Sequence, residues 1–587
     1  MRKLWMMALL GASFLWPVFS FKEPEIMPLP APEVIAAAYP KDYFQRPVNE
    51  EIKMTGTFGE LRSDHFHSGL DIKSNTGRVG QPILAAAEGF VDRIQVQAGG
   101  YGNVLYLKHP NGYTTVYAHL DAFSADLQQY VREAQYKSQR FEVNLHPPDG
   151  LFKIKQGQQI GRMGNSGGST GPHLHFEIRH SATQKVLNPL LFGIPVQDKV
   201  APEIRDMKVY FLDEQRGVIG SKAFPINRQK DGTYGLEGDT VLLGGWRIGF
   251  GVKTYDGMSG FRNDNGVYAV SLYADDQLAY EWRMDELDFD ESRYLNAHID
   301  YSVFKRYGAW FHRCFVLPGD LLSNYAHTET LGSIPIYAEK PVKILLKVVD
   351  AGGNACTITF WAQRDTNLEV FPSAPFQFEM PYNVENRIDM EDFSMILPKG
   401  SLYETLEFQY STTPDEEGDV FSPMHHLHNG RTPVHRYFTL KIRPHELPDN
   451  LRSKAIIAKC GEGKPDNCGV SWEGDFLMTK VREFGDYCVM VDTVPPKITP
   501  VVFATDMRKK GVISFRINDN FAITGLADRL YYRGTVDNKW ILFEYDRKRA
   551  RLTYTFDGQV IRGEHVLKLV VKDDRDNLAK FERKFVR

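Results

Sequence analysis

The sequence is poor in cysteine, close to neutral and nearly free of long apolar runs, and each shortage narrows what the chain can be. Five cysteines stand in 587 residues, at Cys314, Cys356, Cys460, Cys468 and Cys488, far from the histidine-rich segment and without a C-x-x-C pair. The ligand spacing of structural zinc modules is therefore missing. The odd count leaves at least one thiol unpaired within the chain. Cys460 and Cys468 bracket the turn-forming GEGKPDN and make the expected disulfide if the chain meets an oxidising compartment, as a stapled hairpin rather than a redox motif. A formal net charge of −4 and a pI near 6.5 give no basic character that would suit nucleic acid or an anionic membrane as partner. No H-E-x-x-H occurs, so a helix-borne pair of metal-binding histidines is absent. Past residue 20, no stretch reaches the ~18 apolar residues that a spanning helix needs.

What is present begins with residues 1–20, MRKLWMMALLGASFLWPVFS. A basic start (Arg2, Lys3), an apolar stretch and small residues at Val18 and Ser20 read as a secretory signal, cleaved to leave a soluble exported chain. The run is short for an anchor, and no cysteine follows it to carry a lipid. Residues 21–43, rich in Pro and Ala, read as a linker. At 587 residues the chain has room for about three to five domains.

The fold class expected is mainly β. From 44 to 193 short alternating runs such as GNVLYLKH and GYTTVYAHL are separated by Gly-Gly and Asn-Gly turns, the mark of antiparallel strands. Asp121–Ser138 breaks the pattern: Leu127, Tyr130, Val131 and Ala134 recur at three and four, so a helix is inserted, within an insertion of about 121–150. After 193 a repeat appears. Asp198, Val200, Pro202 and Ile204 form D-x-V-x-P-x-I, which returns at Asp492, Val494, Pro496 and Ile498; the blocks close on LLKVVDAGGN and LKLVVKDDRDN. This suits immunoglobulin-like β-sandwiches at 194–365 and 492–587. The intervening 366–491 reads as a further sandwich or a module that weakly resembles ZU5.

Eight of the seventeen histidines fall between His65 and His180. In HFHSGLDI, His67 and Asp71 are four apart; an extended segment would aim both to one face, and Gly69 between them removes bulk. Such a pair suits a metal site with an open position, though alone it says little. In TGPHLHFEIRH, alternation puts His173, His175 and Glu177 on one strand face and Leu174 and Phe176 in the core. Two imidazoles packed without partners would each cost about 1–3 kcal/mol; strand geometry alone lets either bind a metal. His119, in YAHL, ends a strand-like run and is unremarkable by itself.

Taken together, His67-Ser-Gly-Leu-Asp71, Tyr117-Ala-His119-Leu120 and Gly167-Gly-Ser-Thr-Gly171-Pro-His173-Leu-His175-Phe-Glu177 resemble the lysostaphin- and LytM-type zinc endopeptidases. The framework GQPILAAAEGFV, GGYGN and QGQQIGRMGNSG resembles that family too, and the likeness covers 44–193, about a quarter of the chain. The resemblance implies Zn2+ held by His67, Asp71 and His175, with His119 and His173 as catalytic residues beside the attacking water. It implies hydrolysis of a cross-link or stem peptide of peptidoglycan in the periplasm or outside the cell. Other expectations are cleavage of extracellular protein, a non-catalytic wall-binding regulator, or a scaffold whose C-terminal β domains bind a protein partner. The connection after YAHL is expanded relative to the family, so residues 121–150 are expected at the cleft rim, gating the groove. His65 is expected in a supporting or surface role, and Glu177 as a hydrogen-bonding support rather than a general base. PMHHLHNG (His425, His426, His428) reads as an exposed loop. The Asp-rich turns VVDAGGN and KDDRDN could hold Ca2+, although tight-turn chemistry alone accounts for them.

Overall fold

The computed structural model describes residues 39–587 apart from 231, 237, 259–260, 327, 369–374, 415–419, 462, 526 and 528. The signal and most of the linker expected from the sequence lie outside the described residues. The fold is mainly β, and among the described residues no helix is long and apolar enough to cross a membrane.

In the histidine-rich part the strands are β1 (Met54–Gly56), β2 (Leu70–Lys73), β3 (Pro82–Leu84), β4 (Gly89–Val96), β5 (Asn103–Lys108), β6 (Tyr113–Ala118) and β7 (Leu120–Phe123). Helix α1 (Ala125–Ser138) follows, then β8 (Val143–Leu145), β9 (Lys153–Ile154), β10 (Gln159–Met163) and β11 (His173–His180). One antiparallel sheet runs β1-β2-β11-β6-β5-β4-β8, and a second, β3-β10-β7, packs against it. Leu70, Ile72, Leu105, Leu107, Tyr117, Leu174, Phe176 and Ile178 fill the space between and are buried. Alternation along β11 thus sends Leu174 and Phe176 inward and leaves the histidine face over the other side of the sheet.

The inserted helix is shorter than expected. Residues 121–123 belong to β7, and the helix starts after Ser124 and stops at Gln139, whose φ of 51° ends it in the left-handed region. Its buried stripe is Leu127, Val131 and Gln135, a spacing of four.

Beyond residue 193 the strands form paired sheets. Residues 203–364 make two sheets, in which Glu203–Leu212 pairs with Arg247–Met258 and Val342–Val349 with Ala355–Arg364. Their interior joins that of the preceding region in one apolar cluster running from Phe44 to Ala362. The junction explains this. Val186–Leu187 pairs with Glu286–Leu287, and Phe66 stacks on Trp282 at 6.1 Å between ring centroids. Residues 378–491 form three sheets, of two, five and six strands, the last completed by Ala522–Ile523, and residues 497–586 form two, each group around a separate core.

Two expectations for the middle region are corrected. His425 and His426 lie on the strand Met424–Leu427, not in an exposed loop. His425 is buried on Phe393, His426 bonds Asp486 at 2.7 Å, and His428 stacks on Phe408; His425 and His426 leave the strand on opposite faces, so the three do not share an ion. Nor do Cys460 and Cys468 approach one another. Cys468 points into the interior between the sheets, whereas Cys460 lies on the opposite face, its sulfur 3.3 Å from that of Cys488 on the adjacent strand. The loop between 460 and 468 supplies a turn, but the pleat sends the two side chains to different faces.

Candidate metal centre

Pairing register builds the site. On β11, His175 is the cross-strand neighbour of Asp71 on β2 and of Ala118 on β6, so Asp71 and the residue after Ala118, His119, are delivered to the same place. His67 arrives differently from the sequence expectation. It lies in the irregular segment before β2, and only Asp71 is on a strand. The chain bends at Gly69, where a β-carbon would sit 2.5 Å from the Phe176 carbonyl oxygen and 3.0 Å from His175 Cε1. Only glycine lets this segment lie flat on β11.

Three donor atoms converge. His67 Nε2 to Asp71 Oδ1, His67 Nε2 to His175 Nδ1, and His175 Nδ1 to Asp71 Oδ1 are each 3.0 Å. All three residues are buried. The other nitrogen of each ring is engaged: His67 Nδ1 donates to the Thr57 carbonyl at 2.7 Å, and His175 Nε2 donates to Glu177 Oε1 at 2.9 Å. Because those acceptors take the N–H of each ring when it is neutral, the atoms then facing one another are lone pairs, two imidazole nitrogens and one carboxylate oxygen. Such a convergence calls for a positive charge between them. A four-coordinate ion with bonds of about 2.0–2.1 Å places its ligand atoms about 3.3 Å apart, close to the observed 3.0 Å edges. The residues therefore fit a small tetrahedral metal, with one position left open.

The surroundings orient the ligands. Burial would raise the Asp71 carboxyl, but the imidazoles of His67, His173 and His175 outweigh it and hold the acid well below its ordinary range; Arg62 also bonds its second oxygen at 3.0 Å. Burial lowers the His67 pKa. It opposes charge on His175 as well, yet the bonds to Asp71 and Glu177 push that ring up to about 9. Glu177 is fully buried. It accepts from His175, from Ser68 Oγ at 2.7 Å, from Tyr101 OH at 2.6 Å and from Arg179 Nε at 2.7 Å. It is thus placed as a hydrogen-bonding support rather than a free base.

His119 and His173 flank the three ligand atoms. Their rings lie 4.8 Å apart, and His119 is 5.9 Å from His175. His119 Nδ1 donates to the Ser166 carbonyl at 2.9 Å and His173 Nδ1 to the Gly171 carbonyl at 2.9 Å, leaving each Nε2 as a proton acceptor. His173 Nε2 lies 3.3 Å from Asp71 Oδ1. His119 has φ of 61°, a left-handed conformation uncommon for a residue with a β-carbon, held by its N–H bond to the Tyr101 carbonyl at 2.9 Å. Burial, then the neighbouring imidazoles of His175 and His173, lower its pKa to about 3. His65 faces outward and bonds Asp64 at 2.6 Å, away from the centre.

Thr57, Arg62, Ser68, Tyr101 and Arg179 complete the site and were not singled out in the sequence. Arg179 had a signal, since it continues the 173-175-177 alternation. Thr57 had none, because its contribution is a backbone carbonyl.

Residues distant in the chain also reach the site. Phe66, next to His67, donates its N–H to Ser292 Oγ at 3.0 Å. Lys548, in the last domain, donates to the carbonyls of Asn165 and Ser169 at 2.5 and 2.8 Å. Around it, Tyr136 and Arg132 of α1 meet Asp557, Tyr136 packs edge-on to Trp540 at 5.3 Å, and Arg533 bonds Gln139 at 2.6 Å. The inserted helix is thus the face on which the last domain rests.

Comparison with known proteins agrees with this geometry. Residues 65–136 and 152–189 match the family model of Peptidase family M23, and residues 378–492 match that of the Zu5-like domain. The chain carries an M23 peptidase domain. The DD-carboxypeptidase/endopeptidase Mpg of Neisseria gonorrhoeae is 32% identical over 138 residues, 24% of this chain and 25% of that protein. The murein hydrolase activator NlpD of Escherichia coli is 35% identical over 142 residues, 24% of this chain and 29% of that protein. The chain thus spans only about a quarter of the length of these curated relatives. Among solved structures, the catalytic domain of the M23 protein EnpA from Enterococcus faecalis is 27% identical and covers 26% of this chain and 98% of its own, with a TM-score of 0.19.

Proposed function

We propose that the chain is an exported zinc endopeptidase that hydrolyses peptide bonds in peptidoglycan, at a cross-link or stem peptide. The observation that carries this reading is the meeting of His67 Nε2, Asp71 Oδ1 and His175 Nδ1 at 3.0 Å, with two further imidazoles beside them. Two histidines and a carboxylate are a hydrolytic zinc set. Bound there, zinc would supply Lewis acidity and lower the pKa of a water toward ~7. The chain does the rest. Thr57 and Glu177 fix the tautomers of His67 and His175. His119 and His173, with Nδ1–H groups tied to carbonyls, present Nε2 to accept the proton of the attacking water. Once protonated, either ring can donate to the oxyanion or the departing amine.

A second reading, a non-catalytic activator of other wall hydrolases, is favoured by the similarity to a protein named as a murein hydrolase activator. The presence of all five side chains counts against it. Digestion of purified peptidoglycan with mass analysis of the fragments decides. Wild type should cleave, His175→Ala should lose both zinc and cleavage, and His173→Ala should keep zinc and lose cleavage. Zinc retained with full activity in His175→Ala would overturn the ligand assignment. A wild-type chain that binds zinc and cuts nothing would favour the activator.

A further inference from the structure

A second group of metal-ligand type lies far from the histidines. The carboxylates of Asp198, Asp256 and Asp350 each offer an oxygen within 4.8 Å of the others. Asp198 sits in the segment leaving the M23 domain, Asp256 near the end of the strand Arg247–Met258, and Asp350 just after Val342–Val349. Asp256 is 4% exposed and Asp350 3%. Three carboxylates held together out of water repel one another and lose hydration. Asp256 shows the consequence: burial, then Asp350 and Asp198, would push its acid up to about 8.

Two polar groups point to what is needed there. Asp256 Oδ1 has no hydrogen-bond partner among the described residues. Asn265, the cross-strand partner of Asp256, is 1% exposed, and neither its Oδ1 nor its Nδ2 has a partner among those residues. Opposed residues of an antiparallel pair put their side chains on the same face, so the Asn265 amide leaves its strand on the face from which Asp256 reaches the other two carboxylates. A buried amide left wholly unsatisfied is destabilising.

We propose that Asp198, Asp256 and Asp350, with the Asn265 amide oxygen, bind one Ca2+ ion at the joint between the M23 domain and the adjoining β domain. An all-oxygen set of carboxylates and an amide is hard-ligand chemistry, and Ca2+–O distances of about 2.3–2.6 Å accommodate oxygens up to about 5 Å apart across the ion. The ion ties the linker residue Asp198 to two strands of the β domain and so fixes where the M23 domain stands.

The repeat within the chain supplies an internal comparison. Asp492 and Asp573 occupy the places of Asp198 and Asp350 in the second D-x-V-x-P-x-I block. Asn354 N and Nδ2 donate to the two oxygens of Asp350 at 2.8 and 2.7 Å; Asn577 does the same to Asp573 at 2.8 and 2.9 Å. The turn is therefore built alike. The charges differ. In the second copy Arg575 lies 3.4 Å from Asp574, Asn467 donates to Asp574 at 2.8 Å, and Lys454 donates to Asn577 Oδ1 at 2.7 Å. Lys454 and Arg575 thus bring two side-chain cations to the second turn, although Asp519 Oδ1 and Asp492 Oδ2 there also lack a partner among the described residues. Asp492, Asp573 and Asp574 likewise bring ligand oxygens within 4.8 Å of one another, so the first turn has to be tested separately from the second.

The test is equilibrium dialysis of the full chain against radioactive Ca2+, with Zn2+ held constant so that the histidine centre does not report. Ca2+ binding at the first turn is expected with a dissociation constant of about 10⁻⁴–10⁻³ M, the range of extracellular modules. Asp256→Asn should lose one bound Ca2+ per chain, and Asp573→Asn should keep that ion. No binding by wild type, unchanged binding in Asp256→Asn, loss in Asp573→Asn instead, or equal competition by Mg2+ would each overturn the proposal. Should Asp256→Asn fail to fold, Tb3+ luminescence of the wild-type chain keeps the question open to refutation: a signal displaced by Ca2+ supports the site, and no signal overturns it.

Discussion

Glu177 gives the most exposed test of the site. It accepts on one oxygen from His175, Ser68 and Tyr101 and on the other from Arg179. Glu177→Gln keeps the shape but has one acceptor atom for these donors, so an N–H pair must face either the His175 ring or the Arg179 guanidinium. If it faces His175, the ring loses the partner that fixes its tautomer and leaves Nδ1 for the metal. Removing such an outer partner lowers metal affinity about 10–100-fold, or ~1.4–2.7 kcal/mol. If it faces Arg179, a side chain 7% exposed keeps its charge without a carboxylate, at a cost of about 3–5 kcal/mol in stability. Either outcome also removes the negative charge that helps raise the His175 pKa. The assay is a zinc titration against a competing chelator, run well below the melting temperature of both proteins, with melting curves alongside. Zinc affinity within twofold of wild type together with an unchanged melting temperature would refute the claim that Glu177 orients His175 for a metal.

Gly69→Ala should lower both stability and zinc affinity, because the added carbon lands 2.5 Å from the Phe176 carbonyl; wild-type values in thermal melts and zinc titration would contradict the close approach. His312 is fully buried, and burial lowers its pKa to about 3. The unfolded chain therefore binds the extra proton first: this contribution to stability is complete above about pH 6.5 and falls as acid is added toward pH 3, by about 2 kcal/mol at pH 5. His312→Gln should flatten that part of the stability-against-pH curve measured by urea unfolding, and an unchanged slope would refute it. Under a glutathione redox couple, Cys460 and Cys488, whose sulfurs are 3.3 Å apart, should cross-link in place of Cys460 and Cys468; peptide mapping without reduction reads which pair forms.

The sequence made β11 legible because alternation is a local property. His173, His175 and Glu177 on one face and Leu174 and Phe176 on the other follow from the pleat alone. The helix at 125–138 was legible for the same reason, through its period. What escaped was set by residues far apart in the chain. Phe66 is fixed by Trp282 and Ser292, and no local pattern announces a contact across more than two hundred positions. Periodicity also misplaced His67, since its aim depends on a bend at Gly69 rather than on strand alternation. Cys460 and Cys468 show the same limit: sequence proximity suggested a pair that the two faces of a sheet keep apart.

Lys548 extends this argument to the last domain. Its ammonium is accepted by the carbonyls of Asn165 and Ser169. The same loop supplies the Ser166 carbonyl that holds His119 and the Ser169 hydroxyl, 3.1 Å from His173 Nδ1. The loop touches both imidazoles assigned to proton transfer, whereas Asp71 and His175 are held by β2, β11 and Glu177, and His67 by the Thr57 carbonyl. Lys548→Ala should therefore separate two properties that a general loss of structure would move together. Zinc affinity should stay at the wild-type value, while kcat on a peptidoglycan fragment falls about 5–30-fold. That range corresponds to ~1–2 kcal/mol for the lost charge-assisted hydrogen bonds. A rise in kcat/KM would mean that the last domain obstructs the cleft instead of ordering its rim, and a matched loss of zinc would mean that the loop supports the metal ligands themselves. Either result would refute the assignment of Lys548 to positioning His119 and His173.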